Sequence, residues 1–360
     1  MPASPSQPPR CHERAPSSAD TLTTPARGAY TSGVQCVHRS GGNPLSEATY
    51  FLIGATASGK TEVGVLVAEA MGAEIISLDS MAVYRGMDIG TAKPTAQERA
   101  RVAFHLVDIL EPTEEFSAAD YVTLARQAHG AVEAGGRQAL FVGGTPMYLK
   151  RLLEGVFRGP RADWEFRRAL RARAQEQGTE ALHRELARVD PTAAQRIHPH
   201  DLRRIERALE VQHLTGRPIS ELQRENRKAL PGPRSIAGLR RSREDLYRRI
   251  DERVERMWSL GLVEEVRGLL EVGLSRSASQ ALGYREVLRH LEGKLSAEEA
   301  KELTKRHTRQ FAKRQLTWFR SLANVHWVSV APEEPAADIC ARVVDALRRS
   351  PGRGSQSQLE

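Results

Sequence analysis

Gly54-Ala55-Thr56-Ala57-Ser58-Gly59-Lys60-Thr61 fits the pattern G-x-x-x-x-G-K-[ST] and stands between the apolar run Tyr50 to Ile53 and a helical pattern. No other feature of the chain restricts its fold as strongly. A glycine-rich turn between strand and helix lets backbone N–H groups point inward, and the start of the helix adds partial positive charge. Lys60 then reaches a terminal phosphate, and the Thr61 hydroxyl is placed to ligate Mg²⁺.

The loop does not say what becomes of the phosphate. Most chains with this loop cleave or transfer a γ-phosphate, which calls for an acidic residue at the end of a neighbouring buried strand. The obvious strand, Gln138 to Val142, ends instead in Gly143-Gly144-Thr145. Asp79, at the tip of the run from Glu74 to Leu78, is the one carboxylate in such a place. As a bare pattern it serves equally as an outer partner of Mg²⁺ or as a general base, and a turn-forming Asp is a third reading.

Further strand-like runs occur at His105 to Ile109, Ser235 to Leu239 and Val325 to Val330. Their alternation with helical patterns predicts an α/β fold, a P-loop NTPase-like parallel sheet. Ser117 with Asp120 marks a helix start that Gly135-Gly136 stops, and Ser242 with Asp245 and Ser296 with Glu299 open two more. From Asp163 to about Lys228 the pattern is helical, with breaks at Gly178, Pro191, Pro199 and Gly216-Arg217-Pro218, which reads as an inserted all-helical domain. The expected division is a disordered tail or over-long start at 1–48, a first core part at 49–160, the helical insert at 161–232, core completion with long helices at 233–332, and a C-terminal helix with a flexible tail at 333–360.

Charge is uneven along the chain. About 37 of the 53 Lys and Arg but only about 25 of the 45 Asp and Glu lie between residues 151 and 320, so this stretch carries roughly +12. A polyanionic partner follows, since clustered cations release counterions from a phosphate backbone. Cys11, Cys36 and Cys340 are too few and too scattered for a disulfide framework or a zinc cluster, which fits a reducing cytoplasm. No apolar run reaches the length that spans a membrane.

With these residues in hand the chain resembles the tRNA dimethylallyltransferase (tRNA isopentenyltransferase) family over about residues 50 to 330. The blocks that carry the resemblance are "GATASGKT", "ISLDSMAVYRGMDIGTAKP", "HLVDILEPTEEFSAADY", "FVGGTPMYLKRLLEG", "RIHPHD", "RALEV", "TGRPISEL", "ALGYRE" and "RQFAKRQLTWFR", in that order. The resemblance implies transfer of the dimethylallyl group of dimethylallyl diphosphate to N6 of the adenine 3′ of the anticodon, with pyrophosphate released and Mg²⁺ as cofactor. It implies that Asp79 takes the N6 proton and that Thr145 and Arg167 stand beside the reacting centre and the diphosphate. Arg249 would reach the diphosphate, although Arg248 beside it leaves that register open. The loop residues 54–61 would hold the diphosphate, with Thr61 on the metal.

The same resemblance places the tRNA anticodon stem-loop against Asp79, Ser80, Met81, Ala82, Thr145 and Arg167, against Arg203, Arg204 and Arg207, and against Gly283, Tyr284 and Arg285. Tyr284 is then expected to stack on a base. On the last long helix Lys305, Arg309, Lys313 and Arg320 fall near one stripe that reads as a rail for the RNA backbone. Gln280 and Ala281 depart from an Arg and Cys often found there, which puts a base contact by those two in doubt. His198 and His200 flank a proline and have no third ligand in sequence, so they read as a turn. A soluble, cytoplasmic monomer is expected. The loop alone also suits a small-molecule kinase, which would consume ATP and need no RNA, or a nucleotide switch that binds RNA without chemistry.

Overall fold

A computed structural model describes residues 48–349 apart from 158 and 226–228. The expected N-terminal tail up to residue 47, Cys11, Cys36 and the last residues lie outside that range. The strands are β1 (Thr49–Gly54), β2 (Ala73–Leu78), β3 (Phe104–His105), β4 (Gln138–Gly143), β5 (Arg234–Arg240) and β6 (Val325–Ser329). The helices before the chain returns to β5 are α1 (Lys60–Met71), α2 (Ala96–Arg101), α3 (Ala118–Ala134), α4 (Pro146–Glu154), α5 (Trp164–Gln177), α6 (Thr179–Val189), α7 (Pro191–Ala194), α8 (Leu202–Thr215) and α9 (Ile219–Glu225). After β5 come α10 (Arg243–Ser259), α11 (Leu262–Val272), α12 (Arg276–Ser279), α13 (Tyr284–Leu291), α14 (Ala297–Arg320) and α15 (Ala336–Arg348).

All six strands pair in parallel, in the order β3-β2-β4-β1-β5-β6. The period-two pattern of a strand sends alternate side chains to opposite faces. Tyr50 and Leu52 accordingly join a core with Val63 and Val67 of α1 and Val343 of α15. Phe51 and Ile53 join another with Tyr121 of α3, Tyr148 of α4 and Phe319 of α14. Because α1 leaves β1 toward one face and α4 leaves the adjacent β4 toward the other, a crevice opens between their first turns, where open α/β sheets bind ligands.

The helix starts are local and legible. Ser117 with Asp120 and Ser296 with Glu299 form reciprocal capping boxes, and the Ser242 hydroxyl accepts the Asp245 N–H. One expectation is corrected: the third strand is only Phe104–His105 rather than His105 to Ile109. Leu106 and Asp108 have φ of 61° and 55°, outside any strand geometry, and Asp108 instead takes Lys93 and Arg99 as ionic partners.

Helices α5 to α9 enclose their own core of Leu170, Leu182, Leu186, Ile205 and Leu209. Among the described residues no helix is long and apolar enough to cross a membrane.

At the β2–β4 pairing a Cβ added to Gly143 would lie 2.3 Å from the Leu78 carbonyl oxygen, so only glycine lets the two strand tips meet. Gly143→Ala is expected to cost about 1–3 kcal/mol in a urea melt, as overpacking does. An unchanged midpoint would mean that the strand tips are not held as tightly as this contact requires.

Candidate functional site

Two residues of the loop after β1 take left-handed backbone conformations. Gly59, at φ 91°, is the residue before α1, and Ala57 also takes a left-handed conformation at φ 62°. Distant side chains hold the loop's carbonyls from outside. Arg241 Nε donates to Ser58 O at 3.0 Å and Arg249 Nε to Ala57 O at 3.0 Å. Gln315, on α14, accepts the Thr56 N–H at 2.8 Å and donates to Gly144 O at 2.6 Å, so one amide ties the loop to the β4 turn. The Ser58 hydroxyl is buried with no hydrogen-bond partner.

Lys60 lies in this cradle with its ammonium on Ala55 O at 2.6 Å. Burial and then the neighbouring Arg253 pull its pKa down to about 7, against the opposing attraction of Asp79. Asp79 offsets only part of the cost of charging this buried group, and an anion in the cradle would offset more of it. Arg253 donates to Thr91 O at 3.1 Å, and burial lowers its pKa too.

Asp79 and Thr145 face the cradle from the tips of β2 and β4. Asp79 Oδ1 accepts the Met81 N–H at 2.8 Å and the Ala82 N–H at 3.3 Å, which fixes the carboxylate. The turn-forming role therefore coexists with any role in chemistry. Thr145 occupies the N-cap of α4 without capping it, and its hydroxyl oxygen accepts the Ser80 N–H at 3.2 Å. Its own O–H remains a donor. A chamber of about 360 Å³ brings together Lys60, Thr61, Asp79, Ser80, Met81, Ala82, Thr145 and Arg253, with Gln280, Arg285, Phe311 and Arg314 at its wall. A second chamber of about 800 Å³ shares Lys60, Thr61, Lys93, Arg253 and Met257 with the first and adds Gly59, Arg249 and Arg256.

The register left open in sequence resolves to Arg249. Arg248 turns outward to Asp245, Glu252 and Glu333. Arg167, expected beside the reacting centre, lines neither chamber in this structure and forms a bidentate pair with the fully buried Glu210, at 2.7 Å on both nitrogens. Burial alone would raise the Glu210 pKa, but Arg167, Arg207 and the Asp163 N–H hold it below the usual carboxylate value. Arg207 is spent the same way and on Pro160 O, whereas Arg203 and Arg204 lie exposed on α8.

Tyr284 is a second correction. Its ring is fully buried and its hydroxyl donates to Glu265 at 2.6 Å, so it has no face to offer a base. Gly283 (φ 89°) starts α13, and the Glu286 carboxylate takes both the Gly283 N–H and Arg285. The expected rail on α14 is also thinner than its stripe: Lys305 pairs with Glu255 and Glu302, and Arg309 Nη1 donates to both Asp251 carboxylate oxygens. Lys313 and Arg320 remain exposed. His198 accepts the His200 N–H within a turn.

Comparison with known proteins follows from this geometry. The family model described as IPP transferase matches residues 82–322. A tRNA dimethylallyltransferase of Geobacter metallireducens is 50% identical over 278 residues, covering 76% of this chain and 90% of that protein. One from Geobacillus kaustophilus is 44% identical, covering 86% and 98%. The crystal structure of a tRNA isopentenylpyrophosphate transferase from Bacillus halodurans aligns with a TM-score of 0.61 at 40% identity, over 83% of this chain and 95% of that one. A eukaryotic dimethylallyltransferase caught acting on tRNA aligns with a TM-score of 0.66 at 27% identity, over 80% and 75%.

The depressed Lys60 pKa has a measurable sign. Above pH 7 the free protein holds Lys60 mostly neutral, and an anion in the cradle restores its proton, so binding takes up protons and weakens as pH rises. Titration calorimetry with inorganic pyrophosphate at pH 8, in buffers of different ionisation enthalpy, should show an uptake of about one proton that Lys60→Arg abolishes, since Arg stays charged. Equal uptake by both proteins would place the titrating group elsewhere.

Proposed function

The chain belongs to the IPP transferase family of tRNA dimethylallyltransferases, and from that premise we propose how its residues share the work of transfer. The enzyme moves the dimethylallyl group from dimethylallyl diphosphate to N6 of the adenine 3′ of the anticodon, and pyrophosphate leaves. The observation that carries the residue assignment is the meeting of Asp79 and Thr145 with Lys60 and Thr61 in one chamber, on a sheet whose β4 tip carries no carboxylate.

Breaking an allylic C–O bond puts negative charge on the departing diphosphate. In this reading the N–H groups of Lys60 and Thr61 in the first turn of α1, the Lys60 ammonium and Arg253 meet that charge, fixed in place before it forms. Arg249 supports them by holding the loop through Ala57 O. The donor set suits Mg²⁺: Thr61 opens α1 beside the chamber, and among the described residues no three acidic, His or Cys side chains gather that would hold an ion alone. Such a site leaves the ion to take phosphate oxygens and water, as Mg²⁺ does. Thr61 would hold it, and bound Mg²⁺ supplies further neutralisation of the leaving group.

N6 of adenine is a poor nucleophile because its lone pair is delocalised into the ring. Asp79, held through Oδ1 by two backbone N–H groups, takes the N6 proton as the bond to carbon forms. Thr145 gives its O–H beside the reacting centre. The base must leave its stack to enter the chamber, at a cost of a few kcal/mol. Contacts from exposed cations to RNA phosphates offset that cost, and Arg203, Arg204, Lys313, Arg314 and Arg320 are among those exposed. Arg285 and Met81 at the chamber wall meet the loop nucleotides. Helices α5 to α9 form the lobe that closes on the anticodon stem, and the protein works as a cytoplasmic monomer.

Asp79→Asn is expected to lower kcat by about 10²- to 10⁴-fold, the usual worth of a positioned base, with tRNA affinity near wild type. Equal loss of turnover and binding would remove the base assignment. Filter binding of unmodified tRNA should weaken severalfold or more between about 50 and 200 mM salt. Binding that ignores salt would contradict the phosphate contacts.

A further inference from the structure

Segment 88–94 separates the two chambers: Ala92, Lys93 and Pro94 line both of them, and Thr91 O takes Arg253. This wall is held partly by its own turn, with the Ala92 N–H on Ile89 O at 3.1 Å and the Lys93 N–H on Asp88 O at 3.3 Å, and partly from outside. Ala92 sits at φ 47°, a left-handed conformation that a residue with a side chain adopts only when its surroundings impose it. The wall's first residues are fixed by one carboxylate from α11. Glu265 Oε2 accepts the Asp88 N–H at 3.0 Å and the Ile89 N–H at 2.8 Å, and Oε1 accepts the Gly90 N–H at 3.3 Å and the Tyr284 hydroxyl at 2.6 Å. Three consecutive backbone N–H groups and a phenol thus converge on it, in the manner of an anion nest. The fit is close enough that a Cβ on Gly90 would come within 2.3 Å of the Tyr284 ring.

We propose that Glu265 is a positioning residue for the transfer reaction. Through segment 88–94 it sets the place of Arg253 and keeps the wall closed against allyl chains longer than five carbons. The proposal rests on the reading of these chambers as an allyl diphosphate site. Glu265 touches no substrate; its carboxylate acts on the wall, and the wall on the donor. Glu265→Gln leaves one oxygen to accept what two now take and removes the charge that three N–H dipoles face. A wall loosened in this way lets Arg253 drift from the diphosphate and opens the space between chambers to hydrocarbon.

The test is steady-state transfer to tRNA by the full chain, well below its melting temperature, with dimethylallyl and geranyl diphosphates compared as donors. Glu265→Gln should raise KM for dimethylallyl diphosphate by about 10- to 100-fold, the scale of loss from a misplacement of about 1 Å. It should also raise the ratio of geranyl to dimethylallyl kcat/KM, with tRNA affinity unchanged. Tyr284→Phe, which removes one of the four donors, should shift that ratio in the same direction by less, and it carries the test if the glutamine variant does not fold. A lower melting temperature with an unchanged donor ratio would make Glu265 structural glue and overturn the proposal. Wild-type protein that uses neither donor would overturn the prenyl reading itself.

Discussion

An unpaired buried cation organises this molecule. Lys60 is buried in the phosphate loop beside Arg253, with Asp79 opposing their repulsion. Concentrating positive potential in a place sheltered from water is costly, and it persists because the loop is held from outside by Arg241, Arg249 and Gln315. A diphosphate relieves that cost on arrival and again, more strongly, as it departs with added charge. The rest of the fold serves to keep the cradle fixed while it waits.

The sheet supplies the geometry for that. Divergence of α1 and α4 toward opposite faces of the sheet opens the crevice, and the β2 and β4 tips then bring a carboxylate and a hydroxyl to its far side. Phosphoryl transfer would use a carboxylate on β4 to hold a metal. Here β4 ends in glycines, and the acid stands on β2, where it can meet a nucleophile arriving from the open side. The same phosphate loop thereby serves a reaction at carbon.

Much of this was legible in the sequence because it is local. The phosphate loop and the capping boxes at Ser117 and Ser296 depend on residues a few positions apart, and β1, β2, β4 and β5 showed as apolar runs. The place of Asp79 at a strand tip is also legible locally, whereas the role proposed for it comes from the family resemblance. Long-range partnerships were not legible: Gln315 lies 259 residues from Thr56, and Glu265 lies 175 residues from Gly90. Periodicity on α14 displays a stripe of cations but not the carboxylates of α10 that neutralise Lys305 and Arg309. Tyr284 read as a stacking ring beside glycine because nothing local shows that α11 and segment 88–94 close over it. Arg253 lies one helical turn after Arg249, and that spacing was the available signal for a second guanidinium at the crevice.

The account stands on carbon rather than phosphorus being handed on. The most direct measurement incubates the purified chain with unmodified tRNA and dimethylallyl diphosphate labelled in the hydrocarbon, alongside a parallel reaction with γ-labelled ATP. The account predicts hydrocarbon label in tRNA, one pyrophosphate released for each group transferred, and no label from ATP. Phosphate label in any product, or tRNA that stays free of the hydrocarbon, would contradict it.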